Sequence, residues 1–142
     1  MRPAAIIRFE SLWGAMILLG ALNMALSWSR TLAMLAATGA FAPLGLTPWV
    51  ALALIDGLNL AVNLALLLAV TRGRSRIAAE LVALLAAYNL WALLLVLLRD
   101  RPAGGLTGVL AVAVAVLQLA AAAMLLRPSA RAWLVRRGDQ PD

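Results

Sequence analysis

One carboxylate stands where a carboxylate is costly. Asp56 lies inside an uncharged apolar stretch over residues 48–71, eight residues past Pro48 (56 − 48 = 8), which is roughly 12 Å along a helix. A charged Asp near the middle of a membrane-spanning helix costs about 3 kcal/mol. Asn59 and Asn63 follow at i+3 and i+7, so the three polar side chains share one stripe. Gly57 beside Asp56 leaves room for another backbone. Asn23 sits in the first apolar stretch with Gly20 and Ser27 on a similar stripe, Tyr88 and Asn89 in the third, and Gln118 in the fourth. Two chemistries fit this set. Amides join membrane helices through interhelical hydrogen bonds; alternatively the set lines a polar track for protons, ions or a small solute, with Asp56 as the titrating or cation-binding group. Amides alone would join helices without an ionisable group, so Asp56 keeps the second reading open.

Other chemistry is missing from the chain. There is no Cys and no His, which removes thiolate and imidazole ligands, thiol nucleophiles and the commonest general base. No catalytic residue, metal site or cofactor is therefore expected, and the chain is read as a non-enzyme. All twelve basic residues are Arg. They lie at the ends of apolar segments, where anionic lipid headgroups would meet them, and no basic groove with interleaved aromatics suggests nucleic acid.

The segments that position these groups follow from hydropathy. Of 142 residues, 65% are hydrophobic and 13% charged, with a mean hydropathy of +0.97. Four stretches reach the roughly 20 residues that a spanning helix needs, at about residues 9–29, 48–71, 77–98 and 104–126. Backbone groups in lipid must bond within their own segment, and no period-2 alternation suggests barrel strands, so the expected fold is all-α. The expectation is a single four-helix transmembrane domain built from antiparallel hairpins. Thr47-Pro48 reads as an N-cap followed by proline in the first turn, and Gly73 as a C-terminal glycine. Residues 31–47 are broken by Gly39, Pro43 and Gly45 and read as an extracytoplasmic loop with a short interfacial helix near its start, though continuation of the first helix past Arg30 or a re-entrant turn also fits. The first 25 or so residues read as a retained helix, not a cleaved signal peptide.

Charge sets the orientation. Arg2, Arg8, Arg72, Arg74, Arg76, Arg127, Arg131, Arg136 and Arg137 fall on one side, against Arg30, Arg99 and Arg101 on the other. Nine against three places both termini in the cytoplasm. Trp13 and Trp133 then mark the inner interface and Trp28 and Trp49 the outer, with Trp91 at depth. Glu10 and Glu80 each begin a helix, where a carboxylate complements the dipole and can pair with Arg8 and Arg76 respectively. Residues 127–142 read as a basic amphipathic tail on the inner leaflet, with Trp133, Leu134 and Val135 resting on lipid. Its Arg127, Arg131, Arg136 and Arg137, together with Arg72, Arg74 and Arg76, would contact anionic headgroups.

The opening RPAAIIRFESLWGAMILLGALNMALSW resembles a group of small uncharacterised bacterial four-helix integral membrane proteins that begin with an Arg-Phe-Glu motif. That resemblance implies a four-helix topology and an inner-membrane location, and brings no activity with it. The small multidrug transporters place an essential Glu within the first helix, whereas Glu10 sits at its edge, and the glycine-rich signatures of the small fluoride channels are missing. The expected role is a structural or accessory component acting through helix–helix association, as a homo-oligomer or with other membrane subunits. The alternative is a small oligomeric channel or a proton- or cation-coupled transporter using Asp56. Reporter fusions at residues 40, 74 and 101 should give an external signal at the first and last and a cytoplasmic one at the second. A periplasmic signal from residue 74 would reverse the orientation.

Overall fold

The computed structural model describes residues 2–98 and 105–135. Its elements are helices α1 (Ala4–Thr38), α2 (Pro48–Thr71), α3 (Arg76–Leu98), α4 (Leu106–Leu125) and α5 (Pro128–Val135), with a 3₁₀ turn at Ala42–Leu44. The first four are each long and apolar enough to cross a membrane, which makes this an all-helical, multi-pass membrane protein.

α1 is longer than composition suggested. It runs for 35 residues without a break at Arg30 and ends only where Gly39 adopts φ 60°. The stretch expected to hold a separate interfacial helix is the last two turns of α1. The reason is local: no glycine or proline lies between Arg30 and Gly39, and one exposed arginine does not interrupt the hydrogen-bond ladder. At the other end, α1 begins at Ala4, and Glu10 pairs with Arg2 at 3.2 Å instead of with the expected Arg8.

α2 begins as its sequence requires. Thr47 Oγ1 accepts from the Val50 N–H at 3.4 Å, with Pro48 in the first turn. The α2–α3 turn is tight. A Cβ on Gly73 would lie 2.7 Å from the Ala69 carbonyl oxygen, so only glycine fits. Arg74 takes φ 50°, and Ser75 then caps α3 by accepting from the Ala78 N–H.

The helices form a ring in which α1 packs closely on α4 and also on α2, while α3 packs on α4 and only loosely on α2. The buried α4 residues Ala115, Ala121 and Ala122 are small enough for its backbone to approach its neighbours closely. About a third of the best spanning window is buried in α1 and in α4, but only 17% in α2 and 11% in α3. The core is concentrated at one end. Ile6, Phe9 and Trp13 of α1 join Val70 of α2, Val82 of α3, Leu125 of α4 and the α5 residues below.

α5 closes that end. Ala130, Trp133 and Leu134 are buried, and α5 touches α1, α3 and α4. This corrects the expectation that Trp133 and Leu134 rest on lipid: the apolar side of the amphipathic segment faces the bundle, and Val135 alone of the three stays exposed. Arg74 lies over the Trp133 ring, 4.7 Å from its centroid. Trp133→Ala should cost about 3 kcal/mol of stability in detergent, and Arg74→Gln about 1 kcal/mol through the lost cation–π contact. A tryptophan variant as stable as wild type would mean that α5 does not hold the bundle.

Candidate functional site

Away from the packed end the four long helices line a cavity of about 580 Å³. Six of its wall residues are polar, and every spanning helix contributes: Asn23 from α1, Asn59 and Asn63 from α2, Tyr88 and Asn89 from α3, and Gln118 from α4. The sequence pattern expected one polar contribution per helix in the bundle interior, and these six come together.

Their hydrogen bonds divide them. Asn89 Nδ2 donates to Gln118 Oε1 at 2.8 Å, joining α3 to α4. Gln118 is 2% exposed, so this amide pair is an interhelical bond of the kind that membranes favour. Asn63 Nδ2 instead donates along its own helix, to Asn59 O and to Asn59 Oδ1, both at 2.9 Å. Helical spacing puts i and i+4 side by side, so the α2 amides satisfy each other locally. Ser27 does the same on α1, donating to Asn23 O at 2.7 Å. Two buried acceptors are left over. Asn63 Oδ1 and Asn23 Oδ1 have no hydrogen-bond partner among the described residues.

Asp56 is not part of this wall. It lies one turn beyond Asn59, half-buried, with no hydrogen bond or ion pair among the described residues. Sharing a stripe with Asn59 and Asn63 was not enough to bring it into the cavity wall, whose α2 residues are Asn59, Leu60 and Asn63. Arg30 is exposed and unpaired among the described residues. Arg99 and Arg101, the other two arginines that could reach Asp56, lie outside those residues.

The basic groups gather at the α5 end, where Arg72, Arg74, Arg76, Arg127 and Arg131 are exposed. Arg136 and Arg137 lie outside the described residues. Arg76 pairs with Glu80 at 3.0 Å, as the i,i+4 spacing leads one to expect. Both this pair and Arg2–Glu10 are well exposed, where such contacts contribute about 0–1 kcal/mol. A smaller hollow of about 320 Å³ opens there between Arg76, Glu80 and Arg131, with Leu125 and Leu134 among its apolar walls.

Trp13 is the important residue that sequence reading misplaced. It is not an interface marker: it is fully buried, and its indole N–H donates to the Asn63 backbone carbonyl at 3.1 Å. The signal was available, because Ile6, Phe9, Trp13 and Met16 recur at i, i+3, i+7 and i+10, which is one face of a helix turned inward. Trp91 is 61% exposed and faces outward, while Tyr88, 66% exposed, stands at the edge of the cavity.

No group of three or more His, Cys, Asp or Glu capable of holding a metal ion occurs among the described residues. Among the described residues the cavity wall carries no charged side chain. Its chemistry is that of neutral hydrogen-bond donors and acceptors: it can bind and orient, and no wall carboxylate could take up a proton. No family model, curated protein or solved structure matches this chain.

A double-mutant cycle of Asn89→Leu and Gln118→Leu should give a coupling energy of about 0.5–1.5 kcal/mol, the range for interhelical hydrogen bonds in membranes. Chemical unfolding in detergent measures it. Additive effects would mean that the two amides act separately.

Proposed function

We propose that this protein is a non-enzymatic component of the bacterial inner membrane that works by associating with other membrane helices, with Asp56 in the contact. Its helices run as antiparallel hairpins with both termini cytoplasmic, the orientation supported by the nine-to-three split of arginines. The basic end then faces anionic headgroups of the inner leaflet.

The single observation behind this reading is the position of Asp56. It sits at membrane depth, outside the cavity wall and half-open to the surroundings, with no partner among the described residues. Exposed leucines on α2 and α3 are at home in lipid; an exposed carboxyl group is not. A neighbouring helix that offers a hydrogen-bonding group removes this mismatch, and a second copy of the chain presents the same surface.

A second reading, a small channel or a proton- or cation-coupled transporter, draws its support from the amide-lined cavity. Asp56 lies off that wall, which leaves the coupling step without its carboxylate.

Single-cysteine variants test the association directly, because the chain has no cysteine of its own. Leu58, 67% exposed and two residues from Asp56, is the reporter position. Leu58→Cys should cross-link to a second copy in liposomes. Adding Asp56→Asn should leave that yield intact, while Asp56→Leu, which removes the polar group, should weaken association about tenfold, equivalent to roughly 1.4 kcal/mol. Equal cross-linking in all three, or none in the first, would refute the role of Asp56.

A further inference from the structure

We infer that the cavity is a binding site for an uncharged amphiphile carrying a hydroxyl group, which enters from the bilayer between α2 and α3. This does not rest on helix association: it concerns the inside of the bundle, and Asp56 takes no part.

Among the described residues, two fully buried side-chain atoms of the cavity wall lack partners, and both are acceptors. Asn63 is 9% exposed, and its Nδ2 group is already committed to Asn59. Asn89 Nδ2 is committed to Gln118, and the indole of Trp13 to the Asn63 backbone. The Asn23 and Asn63 side-chain oxygens are left as buried acceptors without donors. Buried acceptors call for a donor. A ligand that satisfies these two oxygens brings an O–H or N–H group, and a hydroxyl can also accept from the uncommitted amide donors of Asn59 and Gln118.

Charge and shape narrow the class. Among the described residues no ionisable cation or carboxylate lines the wall, so an ionised headgroup would meet no counter-charge from them at membrane depth, where that is costly. The remaining wall includes Ile17, Met24, Leu85, Leu93 and Val96, an apolar surface suited to an alkyl body, with Met24 adaptable in shape. A volume near 580 Å³ falls within the range of about 300–1,000 Å³ seen for small-molecule sites.

The entrance follows from packing. The wall residues of α4 are all buried or half-buried, and those of α1 are too except Ala21. Asn59 and Leu60 of α2 and Tyr88 and Val96 of α3 are exposed, and of the neighbours around the ring of long helices these two touch least. The Tyr88 phenol makes no hydrogen bond among the described residues, which leaves it available to a hydroxyl passing that edge. A lipid-soluble alcohol can thus slide in sideways, chain toward the bilayer and hydroxyl toward Asn23 and Asn63.

Photolabelling of the full chain in phospholipid nanodiscs tests this, with a diazirine-bearing hexadecanol, its methyl ether and the matching hexadecanoate as probes. The alcohol should label cavity segments of α2 and α3 about tenfold more than either analogue, the effect of a hydrogen bond that only a neutral donor can make. Asn63→Leu should reduce that preference, and Asn23→Ala, at a less enclosed position, serves if the first variant does not fold. Equal labelling by alcohol and ether would overturn the proposal, as would a preference unchanged in both variants; the cavity would then hold only water or unselected chains.

Discussion

The hydrogen bond from the Trp13 indole to the Asn63 backbone carbonyl divides this molecule in two. An indole N–H buried without an acceptor costs on the order of 1–3 kcal/mol, so α1 and α2 are held in one rotational and axial register by the need to satisfy it. On the α5 side of this point, Ile6, Phe9, Val70, Val82 and Leu125 close into a solid core. On the other side, the same α2 residue lines a hollow, with its side-chain oxygen buried and unpartnered among the described residues. The bond sits at the floor of the cavity and the roof of the core.

Membrane context changes what counts as informative. Many exposed leucines and valines on α2 and α3 say little, since lipid accepts them as readily as a protein interior does. Polar placement discriminates. Of the five amides in the cavity wall, Asn89 and Gln118 link two helices, Asn59 and Asn63 bond within one, and Asn23 leaves its side-chain oxygen open. A uniform role for such residues, as glue or as pathway, does not describe them. Their positions along each helix decide which role each takes.

Much of the architecture was legible because strong local rules apply. Four apolar stretches, the Thr47-Pro48 start, the glycine after α2 and the Arg76–Glu80 pair follow from hydropathy, capping and i,i+4 spacing, and the structure contains them all. The meeting of polar residues from four helices was also readable, since each helix had few to offer. Other features depend on which face of an apolar helix turns inward, and hydropathy barely separates lipid from core. Hence Trp13 and Trp133 were read as interfacial, although both are buried, and α5 was read as lying on the membrane. Asp56 shows the limit of a stripe argument: spacing sets direction around one helix, but which residues of a stripe line a cavity also depends on the neighbouring helices.

The length of α1 has a mechanical consequence. From Arg8 to Arg30 is 22 residues (30 − 8 = 22), about 33 Å, which matches a hydrocarbon layer near 30 Å. The final eight residues, 31–38, stand about 12 Å further along an unbroken helix. Pinned near Trp13, such a rod is a lever with arms of unequal use. Asn23 is ten residues from the pivot (23 − 13 = 10), and Thr38 is 25 (38 − 13 = 25), so their distances are about 15 and 37 Å. A swing of about 5° moves the tip by roughly 3 Å and the cavity wall by roughly 1 Å. A displacement at the α1 tip is thereby geared down to a shift the size of a hydrogen-bond adjustment at Asn23.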